Sequence, residues 1–382
     1  AAAAAPAQEA AEDAVVVVTL PEGVGWVTEN ARHMFVRPCW VKLYDVVMGK
    51  MESRAGTKGE GIILTGNPGI GKSWFLSYVL YRVASEMPTR AVVFESVAEE
   101  KLWVFGADGS VRQLDWEQRR HVEELNDAST IYLFDPAGHN TGQTREPYRC
   151  LAFTIIASSP NKNNYRDMLK HGGKILYMPP WSLAELRTAA PFVPKPPSAQ
   201  DVAERFAHHG GISRAVLSDD PELWDAQLQA AVESCNLGAV KRSLGHSDAD
   251  ESATHKVVAY KVIEDGHAPY TRVRVDFVSP HVGKLVFDQY HSAKRAELAT
   301  FLLSAQGSPT VAGVCGALFE QLVHRTLVAG GTFKLRRLDG GAGPAHVRVV
   351  PLDTTTVRRV SGLSAIRAVA DKPMYVQPEF GN

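Results

Sequence analysis

Lys72 and Ser73 close an eight-residue run, Gly66-Asn67-Pro68-Gly69-Ile70-Gly71-Lys72-Ser73, with the residue types and spacing needed to hold a polyphosphate. The glycines let successive backbone N–H groups turn inward around an anion, and a helix opening there adds the partial positive charge of its N-terminus. Lys72 then reaches the β- and γ-phosphates, and Ser73 gives its hydroxyl to Mg²⁺. Residues 66–73, with Trp74 after them, are therefore the expected nucleotide-binding residues. Asp135 ends the apolar run Ile131-Tyr132-Leu133-Phe134. A carboxylate at the carboxyl end of a central strand is where Mg²⁺ needs its other anchor, so the expected metal pair is Ser73 and Asp135. The residue after Asp135 is Pro136, not the glutamate that would polarise an attacking water. Glu95, ending another strand-like run, is either its substitute or an ordinary strand-end carboxylate. Ser159 and Asn161 follow a third run, where they contact the γ-phosphate or the attacking water, or simply make a turn. Arg214 follows the Gly210-Gly211 turn, placed either to reach the γ-phosphate from a helical lid or to lie on a surface helix. The expected catalytic set is thus Lys72, Asp135, Glu95 and Arg214.

These residues need a frame of strands with helices between them. Ile62 to Leu64 feed the glycine-rich loop, and four further strand-like runs follow at 91–95, 130–134, 152–157 and 174–178. Helical stretches separate most of them, which predicts an α/β domain with a mainly parallel five-stranded sheet and right-handed crossovers. Residues 100–115 interrupt the series as a hairpin turning at Asp108-Gly109, and a helix is expected over 116–126. Before the loop, Ala14 to Leu20 reads as a strand and Val41 to Met51 as an amphipathic helix. Arg37 and Trp40 either pack near a nucleotide base or cap and pack that helix. Ser182 and Glu185 have capping-box spacing, so a helix starts there.

With 382 residues, 45% of them hydrophobic, the chain can bury large cores without disulfides. Cys39, Cys150, Cys235 and Cys315 form no C-x-x-C pair, which argues against zinc and fits a reducing compartment. A formal net charge of −1 excludes a global basic footprint for nucleic acid. No apolar run approaches the length that crosses a bilayer, so a soluble protein is expected. The expected organisation is a low-complexity segment and strand over 1–30, a nucleotide-binding domain with a helical lid over 31–242, a polar linker over 243–254, and an α+β domain over 255–382. In the last, strands over 255–263 and 271–278 are followed by helices over 281–303 and 310–328. Lys334, Arg336, Arg337, Arg348, Arg358 and Arg359 make 334–359 the most basic segment, a surface for double-stranded DNA or a pair of charged edge strands.

Arg37-Pro38-Cys39, the GNPGIGKS loop, the strand ending in Asp135, IIASSPNKNNY, MPPWSLAEL, GGISR and GALFEQLVH resemble, in that order, the Crinkler effectors and the retrotransposon hot spot proteins. The resemblance runs from about Arg32 onward, and Ser158 to Asn161 and the Trp181 stretch are its most specific pieces. It implies a P-loop ATPase module of the additional-strand class followed by a smaller nuclease-like domain of the restriction-endonuclease superfamily. It also implies ATP with Mg²⁺, an intracellular and commonly nuclear location (the host nucleus for a secreted effector), and Glu320 as the glutamate on the first nuclease-like helix. Self-association is a further expectation. The nuclease's metal-binding aspartate and its Glu-or-Gln, x, Lys strand normally follow a segment like Met374 to Pro378, so nuclease activity is not expected of these 382 residues. The function expected is ATP binding and hydrolysis coupled to the C-terminal half, with a nucleotide-holding switch or an ATP-gated nuclease as the alternatives.

Overall fold

The computed structural model describes residues 16–27, 31–136, 146–160, 162–242, 255–263, 268–305, 307–336, 347–352, 358–360 and 376–378. The expected linker 243–254 and Asn161 lie outside them. The chain opens with an antiparallel hairpin of β1 (Val16–Thr19) and β2 (His33–Val36). Helix α1 (Pro38–Glu52) follows, starting three residues earlier than the periodicity predicts because proline is at home in a first helical turn.

β3 (Gly61–Thr65) leads through the glycine-rich loop into α2 (Lys72–Glu86). β4 (Val92–Ser96), β5 (Lys101–Phe105), β6 (Val111–Asp115), β7 (Ile131–Asp135) and β8 (Phe153–Ala157) come next. A short α3 (Arg166–Lys170) then precedes β9 (Lys174–Tyr177). β3 to β9 join one seven-stranded sheet in the order β6-β5-β4-β7-β8-β3-β9. Five strands run parallel, as the alternation of strands and helices requires. The other two are the 100–115 hairpin, which pairs antiparallel onto β4 and extends the sheet beyond the five strands expected. Its inward residues Leu102 and Val104 are fully buried, which fixes its register on the sheet edge. The expected helix at 116–126 is two short 3₁₀ segments instead, because only Val122 and Leu125 there are buried and no apolar stripe of helical period exists.

Each sheet face has its own core. Ile62, Leu64, Ile131 and Leu133 pack with Phe75, Leu76 and Val79 of α2 and with α1, whereas Ile63, Val93, Tyr132 and Phe134 pack on the opposite face with Leu125 and Met168. Each fully buried Leu or Phe contributes about 1.5–3 kcal/mol. Beyond β9 come α4 (Leu183–Ala189), α5 (Ala199–His209), α6 (Ser213–Val216), α7 (Pro221–Glu233) and α8 (Leu237–Arg242). β10 (Val258–Val262) and β11 (Val273–Phe277) form an antiparallel hairpin, followed by α9 (Pro280–Ala293), α10 (Arg295–Ser304) and α11 (Ala312–Val328). The single helix expected over 281–303 breaks at Lys294, whose backbone is non-helical. The C-terminal core begins upstream of the expected linker, since Leu228, Val232, Leu237 and Val240 pack with Tyr260, Val282, Phe287 and Leu318. β12 (Gly331–Arg336) and β13 (Val347–Leu352) pair antiparallel in the basic segment. All four cysteines are free thiols. No helix among the described residues is long and apolar enough to cross a membrane.

Candidate functional site

The glycine-rich loop leaves β3 and enters α2 through Gly71, whose left-handed φ of +93° few other residues adopt. Gly69 has a φ of +76°, and a Cβ there would lie 2.9 Å from Cβ of Arg214, so only glycine lets the lid approach this closely. Lid and loop are bonded directly: Arg214 N and Ser213 Oγ both donate to the Gly69 carbonyl, at 3.1 and 2.9 Å. Trp181 Nε1 donates to the Ile70 carbonyl at 2.8 Å. Arg214 thus has its backbone N and Cβ at the loop, and its side chain is exposed.

Lys72 folds back over the loop and donates to the Gly66 and Asn67 carbonyls at 2.9 and 2.7 Å. Burial, and then the charge of Arg214, pull its ammonium down to about 7, against an opposing pull from Asp135. That opposition places the Asp135 carboxylate within electrostatic reach of Lys72. Asp135 is itself buried, at the end of β7, and Ser96 lies opposite it in register. β8 runs between β3 and β7, so its Ser158-Ser159 tip emerges between the glycine-rich loop and Asp135. Ser158 is buried and accepts a bond from Asn164 Nδ2 at 2.9 Å, while Ser159 is half-buried. A serine hydroxyl at the head of α2 and a carboxylate at the end of β7 form a hard oxygen donor set, which fits Mg²⁺.

Glu95 is not gathered with this group. Strand alternation sends it to the far face of the sheet, where Tyr132 Oη donates to one carboxylate oxygen and Arg119 to the other at 3.3 Å. Burial first, and then the Glu95 charge, raise the Tyr132 phenol well above its ordinary range, so its proton stays in place to donate. Glu95 is a fully buried, hydrogen-bonded carboxylate on the side of the sheet away from Asp135.

Two features of the site were not read from sequence. Asn67, fully buried, donates from Nδ2 to the carbonyls of Val258 and His255 at 2.6 and 3.1 Å, and its Oδ1 accepts from Tyr260 N at 2.9 Å. The loop is thus bonded to β10 of the C-terminal half. Beside the loop lies a cavity of about 370 Å³ lined by Phe35, Trp40, Trp74, Trp181, Phe192 and Arg214 among others. It lies against Gly69 and Gly71 and has the size of a small-molecule pocket. Arg37, by contrast, is buried structure. It pairs with both oxygens of Glu185 at 2.9 and 3.2 Å, donates to the Pro179 and Pro180 carbonyls, and stacks on Trp181. Glu185 also completes the capping box of α4 with Ser182. Arg37→Ala is expected to lower unfolding stability by about 3–5 kcal/mol in urea titration, because the carboxylate and two carbonyls lose their cation, and Arg37→Lys to rescue little since it lacks the planar fork. A loss under 1 kcal/mol would contradict this role.

Glu320 lies on α11, exposed and 3.3 Å from His324, at the edge of a second, larger cavity that Asp276 also lines. Asp276 is paired there with Lys261 and Arg274 at 3.0 and 3.2 Å.

Over 284 residues the chain is 30% identical to Crinkler effector protein 15 of Phytophthora infestans, an alignment covering 73% of this chain and 44% of the relative. The chain is similar to Crinkler effectors. Crinkler effector protein 16 of the same organism is 29% identical over 279 residues, covering 72% of this chain and 43% of the relative. The chain thus spans less than half the length of these curated Crinkler relatives. No protein-family model matches it. Among solved structures it is similar to the Aeropyrum pernix ORC2 protein, solved in ADPNP-ADP complexes (TM-score 0.30, 12% identity, 82% of this chain and 90% of that one). A mutant of Thermotoga maritima RuvB gives a TM-score of 0.28 at 13% identity, covering 79% and 90% of the two chains. Likeness at that level fixes neither the details of the fold nor its chemistry.

Proposed function

We propose that this chain is a Crinkler-type P-loop protein that binds Mg²⁺-ATP at residues 66–73 and passes the bound state to its C-terminal half. The observation that carries the proposal is Asn67. Its backbone carbonyl accepts a bond from Lys72 Nζ, while its side chain holds the β10 segment. A triphosphate in the loop attracts Lys72 away from that carbonyl, so the residue whose backbone is released is the one that positions β10. β8, inserted between β3 and β7, supports the additional-strand class. ATP is favoured over GTP by the resemblance to Crinkler effectors and by the absence of an N-K-x-D motif. Bound Mg²⁺ would neutralise charge on the β- and γ-phosphates, with Ser73 and Asp135 as its protein ligands. Arg214 would meet the γ-phosphate from the lid. Double-stranded DNA is the macromolecular partner proposed for the β12–β13 hairpin, where Lys334 is exposed, and a nuclear site of action follows from the same resemblance.

Glu95 favours binding without fast turnover over Glu95-driven hydrolysis, because it is fully buried and engaged by Tyr132 and Arg119. The test measures ATP affinity and phosphate release together, with and without DNA, for the wild type and Glu95→Gln. Binding is expected, with any turnover unchanged within about twofold by Glu95→Gln. A general base contributes about 10²–10⁴-fold, so a hundredfold loss in the variant would restore hydrolysis through Glu95.

A further inference from the structure

Trp40 has an indole N–H with no hydrogen-bond partner among the described residues, although its side chain is 1% exposed. An orphaned buried donor is costly, and native proteins rarely keep one without a use. The ring itself is fixed, packed edge-on against Phe75 and tilted against Tyr78. Its Cζ2 carbon lies 3.4 Å from where a Cβ on Gly71 would sit, and Cζ2 is bonded to the carbon that carries Nε1. The ring edge next to the N–H therefore lies against Gly71, and Trp40 is one of the residues lining the 370 Å³ cavity beside it. Of the other indoles on that wall, Trp181 already donates to Ile70, and Trp74 is half-buried, within reach of water.

Building on the nucleotide reading above, we propose that Trp40 is the base-reading residue of the cavity, its N–H donating to a ring nitrogen of a bound adenine. The wall chemistry selects the base. The described residues lining the cavity include no carboxylate and no carboxamide, and apart from His33, Ser213 and Arg214 their side chains are apolar or aromatic. Adenine offers three ring-nitrogen acceptors to a single donor. Guanine would bring an N1–H as well as an amino group, one ring donor more than adenine, against a wall whose side-chain acceptors are confined to His33 and Ser213, and a buried donor left unmatched is penalised.

The experiment compares the full chain with Trp40→Phe, which keeps a ring and removes the N–H. Binding of ATP, inorganic tripolyphosphate, and 1-deaza-, 3-deaza- and 7-deaza-ATP is measured by calorimetry. Trp40→Phe is expected to weaken ATP by about five- to tenfold, the equivalent of one net hydrogen bond, and to leave tripolyphosphate unchanged. Its nucleotide-free melting temperature should not fall on account of the lost N–H, because the group removed makes no bond in that state. One deaza analogue should lose the same factor on the wild type and nothing further on the variant. Equal ATP affinity in the two chains, or equal losses for ATP and tripolyphosphate, would overturn the proposal. So would three deaza analogues that all bind the wild type like ATP, a result that does not depend on the variant folding. Tripolyphosphate binding as tightly as ATP would overturn base recognition while leaving the phosphate-loop reading intact, and failure of both to bind would overturn the two together.

Discussion

Lys72→Ala is expected to abolish the thermal stabilisation that Mg²⁺-ATP gives the wild-type chain. At nucleotide one hundred times its dissociation constant, the native state gains about 2.7 kcal/mol, a shift of several degrees in a melting experiment. Lys72 holds its charge poorly without ligand: it is buried, and burial and then the charge of Arg214 pull its ammonium down to about 7. A polyphosphate reverses that balance by placing several negative charges beside it. The nucleotide-free melting point of the variant should change much less. The Gly66 and Asn67 carbonyls lose a donor, but a poorly solvated amine goes with it. An undiminished ATP shift in Lys72→Ala would contradict the assignment of the loop.

The parts of the site legible in sequence are those whose signal is local. The glycine spacing and the helix after it occupy one continuous stretch, and their geometry follows from backbone freedom and dipole direction. Arg214 was placed by its glycine turn, and the lid does bring it to Gly69. Glu95 was harder because its role depends on which way a side chain points. The pairing of Ser96 with Asp135, and of Glu95 with Phe134, decides that a glutamate one residue earlier faces the other side of the sheet. Nothing local in the sequence gives that register. Trp40 was legible only as an alternative between base contact and helix packing. The structure packs its ring in the core against Phe75 and sets its Cζ2 edge beside Gly71, and base contact is the proposal made above. The seven-stranded sheet was missed for a related reason: the 100–115 hairpin was seen, but not which strand would take it up.

Asn67→Ala is expected to disconnect the loop from β10 at a large cost in stability. The side chain satisfies the carbonyls of His255 and Val258 and the amide of Tyr260, groups 188 to 193 residues away in sequence, which is why no local motif announced the link. Each buried backbone group left unsatisfied costs about 1–3 kcal/mol, so a loss of about 3 kcal/mol in urea unfolding is the expected minimum. Stability alone does not establish coupling, because any buried asparagine would behave similarly. Hydrogen exchange at 258–262 provides the sharper readout. In the wild type, Mg²⁺-ATP should change the protection of the Tyr260 amide, since Lys72 and the β10 contacts act on the backbone and side chain of one residue. In Asn67→Ala that response should vanish while ATP still binds through Lys72. Coupling between two sites is reciprocal, so the contacts that β10 makes with Asn67 must also shift ATP affinity, by the same free energy that ATP exerts on β10. A variant that keeps the nucleotide-dependent protection of β10 would show that the signal reaches the C-terminal half by another route, such as the Gly69 contacts of Ser213 and Arg214.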